Sequence, residues 1–120
     1  MQLRKVSLML VIALAAEFVW AQKSPQPDWD AVEASTKGLA SYAPKSGMVP
    51  DEATAIRVAE AILVPIYGEK KVISERPYYA RLSNGTWTVV GSIHTANFGG
   101  VAVVKISQID ARIIFVIHEM

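Results

Sequence analysis

Pro50 to Glu69 reads PDEATAIRVAEAILVPIYGE, and this stretch contains a helix start, an apolar stripe and a marked stop. Asp51 is suited to accept hydrogen bonds from the orphan amides of a first helical turn. Glu52 sits just inside, where the positive end of the helix dipole favours a carboxylate. Ile56, Ala59, Leu63 and Ile66 recur at three- and four-residue steps and define one apolar face, with Arg57 and Glu60 off it. Pro65 has no N–H and crowds the carbonyl one turn back, so it bends or ends the helix; Gly68 suits the cap that follows. The expectation is one principal amphipathic helix that needs a sheet to lie on.

The residues downstream supply that sheet. Tyr78 to Ser83 and Thr86 to Gly91 flank Asn84-Gly85, the dipeptide that best supports a two-residue hairpin turn. Counting outward pairs Leu82 with Trp87, Ala80 with Val89 and Tyr78 with Gly91 on a mainly apolar face. Ser83 with Thr86 and Arg81 with Thr88 fall on a polar one, so the register is pinned. Val101 to Ser107 and Arg112 to His118 read as two further strands. The four-residue loop Gln108 to Ala111 between them pairs Ile106 with Ile113, Val104 with Phe115 and Ala102 with Ile117, a set that can face the helix. Val101, Val103, Ile114 and Val116 then occupy the other face, which is apolar where a wet face should be polar. Either the first helix covers it or it is a contact patch for a partner or a second copy.

The ordered set of Pro65-Ile66-Tyr67-Gly68-Glu69, Pro77-Tyr78, Asn84-Gly85-x-Trp87-x-Val89-x-Gly91, Gly99-Gly100-Val101-Ala102, Ile106-Ser107, Asp110-Ala111-Arg112-Ile113 and His118 resembles the nuclear-transport-factor-2-like fold immunity proteins of bacterial polymorphic toxin systems. The resemblance covers roughly Met48 to His118. It implies an α+β domain of the cystatin-like or nuclear-transport-factor-2-like kind. One main helix, plus a short N-terminal one, would pack on a curved antiparallel sheet of about four strands. It also implies a protein that neutralises a cognate toxin by binding, without catalysis. Ser92 to Phe98, SIHTANF, departs most from the family pattern, and loops on rigid scaffolds carry specificity.

Upstream, Arg4-Lys5, the apolar run Val6 to Ala16 and Val19-Trp20-Ala21 have the form of a secretory signal peptide, with the cut expected after Ala21. That run is short for a membrane span and Glu17 interrupts its end, so no membrane association is expected after cleavage, and the mature chain is expected to be periplasmic or secreted. Gln22 to Gly47 reads as a flexible lead with a short helix at Trp29, Val32, Thr36 and Leu39 behind an Asp28 cap. The domain proper is expected over residues 48–120. Without cysteine there is neither a lipid anchor nor a disulfide framework. Of twelve basic and eleven acidic residues, the leader holds Arg4, Lys5 and Glu17, which leaves ten of each and a neutral mature chain. Neutrality with no basic cluster beyond Lys70-Lys71 argues against nucleic acid as a partner.

Little in the sequence points to chemistry. His94 and His118 are the only histidines and lack metal-ligand spacing, so no metal or cofactor is expected. Tyr67, Tyr78, Tyr79 and Asp110 are the acid–base candidates, yet Asp110 falls in a turn, where aspartate bonds its own backbone. The resemblance, the leader and the lack of catalytic groups together make protein binding the expected activity, with Tyr79, Arg81, His94, Asn97, Phe98 and His118 as contact candidates, since aromatic and arginine side chains are enriched at hot spots. His118 also reads as a strand-end residue capping the sheet rim. The competing readings are a periplasmic PepSY or cystatin-like module that regulates a peptidase or serves as an envelope accessory, and a small-molecule pocket lined by Trp87 and Phe115.

Overall fold

The structure is a computed structural model that describes residues 25–94 and 100–118. The chain divides into two compact units, one ending at Ala40 and the other beginning at Ser41. The expected signal peptide lies outside the described residues. In the first unit, α1 (Trp29–Thr36) starts on Asp28, whose side chain accepts from the Ala31 amide at 3.2 Å, and the helix buries none of its residues. Among the described residues no helix is long and apolar enough to cross a membrane.

The second unit runs α2 (Glu52–Tyr67), α3 (Glu69–Ser74), β1 (Tyr79–Ser83), β2 (Thr86–Val90), β3 (Ala102–Ser107) and β4 (Ile113–His118). The four strands form one antiparallel meander in chain order, and α2 lies against β1, β2 and β3, an α+β architecture of the nuclear-transport-factor-2-like kind. Asp51 caps α2 as its position demands, accepting from the Thr54 amide at 2.7 Å. Hydrogen bonding from the Thr54 side chain and amide holds its carboxyl below the ordinary carboxylate range. Pro65 sits in the last turn, and the helix continues to Tyr67 before Gly68, at φ +91°, turns the chain while donating to the Val64 carbonyl at 2.8 Å. The buried face of α2 is Ala55, Ala59 and Leu63, with Ile56 and Val58 packed beside them. Ile66 is 55% exposed, so the buried stripe ends one turn earlier than expected, at Leu63.

The β1–β2 hairpin has the expected register, Ala80 opposite Val89 and Leu82 opposite Trp87. Asn84 and Gly85 both adopt positive φ, as a primed turn requires. Its inner face is fixed to the segment before α2: the Trp87 indole Nε1–H donates to the Val49 carbonyl at 2.8 Å, and Val49 is fully buried. Met48 and Val49 in turn donate their amides to the carbonyls of Ile109 and Gln108. Gly47, at φ +80°, makes that approach possible, because a Cβ there would collide with the Gln108 carbonyl.

β4 departs from expectation. Ile106 pairs with Ile113, but a bulge follows and Lys105 pairs with Phe115, which leaves Ile114 as the extra residue. One inserted residue exchanges the faces of everything beyond it. Val104 therefore meets Val116 and Ala102 meets His118, with Val116 packed on the core, while Phe115 and Ile117 turn outward at 44% and 39% exposure.

Candidate functional site

Two places concentrate side chains with functional chemistry: a buried cluster at one end of the sheet and the sheet face away from α2. The cluster centres on Glu75, just beyond α3, which is 6% exposed. Its Oε1 accepts the Ala102 amide at 2.7 Å, and its Oε2 lies 3.1 Å from Nε2 of His118, the residue paired with Ala102 across β3 and β4. The Glu75 carbonyl also accepts the Ser92 amide at 2.7 Å. Glu75 thus ties the helical segment to β3 and β4 through its carboxylate and to the chain leaving β2 through its backbone carbonyl. Gly91 provides the room, since a Cβ there would press on Glu75 and on the Tyr78 ring at 3.1 to 3.2 Å.

The Tyr67 ring stacks obliquely on His118, centroids 5.3 Å apart, and the Tyr78 hydroxyl donates to the Val72 carbonyl at 3.0 Å. Burial, together with the nearby charges of Glu75 and Glu60, pushes the Tyr78 phenol up from 10.0 to about 12. With both carboxylate oxygens engaged inside the fold, Glu75 has the geometry of a clasp. Arg76 beside it pairs with Glu60 of α2 through Nε and Nη2 at 2.8 and 2.9 Å, and that bidentate contact raises its pKa further. Among the described residues no group of three or more potential ligands is placed to hold a metal ion.

The outer sheet face is different. Tyr79 and Arg81 alternate on β1, both exposed, and line a shallow depression of about 320 Å³ with Ala80, Thr88 and Val90. Of the six contact candidates, these two stand together. His94 bonds through Nε2 to the Arg76 carbonyl. His118 points inward, its side chain 14% exposed, because the β4 bulge changes its face. Asn97 and Phe98 lie outside the described residues. Phe115 is on the outer face and the buried Trp87 on the inner, so the two do not share a helix–sheet pocket. Asp110 is in its turn, accepting from the Arg112 amide at 3.0 Å, and that bond with the Ser107 hydroxyl lowers its pKa.

Glu75 was not foreseen from the sequence. Nothing in its spacing sets it apart, and its one signal is a carboxylate two residues before Pro77.

A helix on a four-strand antiparallel meander, its buried polar groups spent on holding the fold, defines a small α+β domain with the nuclear-transport-factor-2-like architecture. The chain belongs to the NTF2 fold immunity protein family, whose model matches residues 54–120. The chain is also 32% identical over 68 residues to the uncharacterized protein YhhH of Escherichia coli (strain K12), a match covering 56% of this chain and 54% of the relative. It thus aligns with about half the length of that curated relative. No solved structure matches.

Proposed function

We propose that this chain is an exported immunity protein that binds its cognate toxin and blocks it sterically, with no chemistry of its own, in the periplasm or outside the cell. The match of residues 54–120 to the immunity family carries the reading. The leader-like pattern of Arg4-Lys5, Val6 to Ala16 and Val19-Trp20-Ala21 supports export. Tyr79 and Arg81, side by side on the exposed sheet face, support contact through β1 and β2, with His94, Asn97 and Phe98, later in the sequence, as further candidate contacts.

The test is co-expression with each toxin domain encoded in the same genome, delivered to the cytoplasm or to the periplasm. Rescue of growth from one periplasmic toxin by the full chain, and its loss when residues 1–21 are removed, is the expected result. Rescue only in the cytoplasm would overturn export; absence of rescue from every toxin would overturn the immunity assignment. No observation favours the peptidase-regulator reading.

A further inference from the structure

The four strands carry no carboxylate at all, and their two permanent cations, Arg81 and Lys105, fall on the same face and in the same row. The pairings run Arg81, Thr88, Lys105, Phe115 across β1 to β4, and the adjacent row on that face runs Tyr79, Val90, Val103, Ile117. One row is thus apolar from edge to edge, and its neighbour is cationic with an aromatic end. Lys105 Nζ lies 5.8 Å from the Phe115 ring centroid, which keeps the ammonium over the sheet. Tyr79 is 57% exposed and Phe115 44%. The ion pairs among the described residues are Arg76 with Glu60 and His118 with Glu75, both away from this face.

We propose that this face docks an acidic protein surface, one that presents carboxylates to Arg81 and Lys105 beside an apolar or aromatic ridge laid along Tyr79, Val90, Val103 and Ile117. Charge complementarity selects this occupant over a second copy. Two copies face to face would bury two cations each with no strand carboxylate between them, and unpaired charges in a desolvated interface are costly. The inference rests on the immunity reading for the partner's biological identity, but its chemistry follows from the two rows alone.

The experiment is selection of a displayed library of random peptides on the full-length protein. Enriched peptides are expected to combine Asp or Glu with aromatic or aliphatic residues. The double variant Arg81→Glu and Lys105→Glu, verified as folded by circular dichroism, is expected to weaken the best of them about tenfold or more. Lys70→Glu with Lys71→Glu, the same charge change on α3, is expected to leave binding unchanged. For the wild type, affinity for that peptide falls as salt is raised from low to physiological concentration. Enrichment without acidic residues, binding equal in both double variants, or salt-independent binding would each overturn the proposal. So would a wild-type dimer in sedimentation velocity that Val103→Glu dissociates. Because the readout does not involve a toxin, a failed rescue in the co-expression assay removes the immunity reading and leaves this one standing, and the reverse also holds.

Discussion

The two faces of one sheet differ more than their sequences do. Inward, Val89, Val104 and Ile106 are at most 1% exposed and Trp87 is 7% exposed, so each methylene is held by neighbours. Outward, residues of comparable hydrophobicity, Phe115, Ile117 and Tyr79, are 39% to 57% exposed and share their face with two cations. The inner face is therefore where stability resides, and the outer face is free to serve recognition. Hydrophobicity alone does not separate them, because burial depends on what lies opposite.

Substitutions can break this comparison, and the largest effect belongs on the inner face. Leu63→Ala removes a side chain that is 1% exposed on the buried face of α2, and is expected to cost about 3–4 kcal/mol in denaturant unfolding. A loss below about 1 kcal/mol would mean that the helix is not fixed on the sheet.

Next comes the clasp. Glu75→Ala leaves the Ala102 amide without its acceptor and His118 without its partner, for an expected loss of about 2–3 kcal/mol. Glu75→Gln retains an acceptor for that amide and should recover a substantial part of the loss. Equal destabilisation by both variants would show that the charge on Glu75, rather than its hydrogen-bond geometry, carries the contribution.

A smaller effect concerns alkaline pH. The folded-state pKa of Tyr78 lies above its unfolded value, so the folded protein holds this proton more tightly. The associated stability is complete below pH 10.0 and is lost as pH rises toward about 12. Thermal melts across that window, with phenolate absorbance followed in parallel, should show the decline, and Tyr78→Phe should remove this component.

The smallest change in stability is expected outside. Tyr79→Ser on the outer face should alter unfolding free energy by no more than about 0.5 kcal/mol. It should nonetheless weaken partner capture, so a strongly destabilised variant would erase the distinction between the faces.

Local chemistry made much of this fold legible. Asp51 caps α2, Asn84-Gly85 closes the first hairpin in the expected register, and strand alternation alone places Tyr79 and Arg81 on one face. The apolar spacing of α2 extends to Ile66 but its buried face stops at Leu63, and α3, only six residues long, is too short to show a period in the sequence. On β4, alternation assumes an unbroken ladder, and the single unpaired Ile114 reverses the faces of Phe115, Val116, Ile117 and His118.

Features set by neighbours along the chain were legible in the residues themselves: caps, the primed turn, the strand periods and the ordered motifs of the family. Tertiary structure alone decided which face of β4 meets the helix, and that Glu75 joins Ala102 to His118 over 27 and 43 positions of chain. Those outcomes depend on long-range pairing, where one residue of register outweighs local preference because it moves every later side chain into the core or out of it.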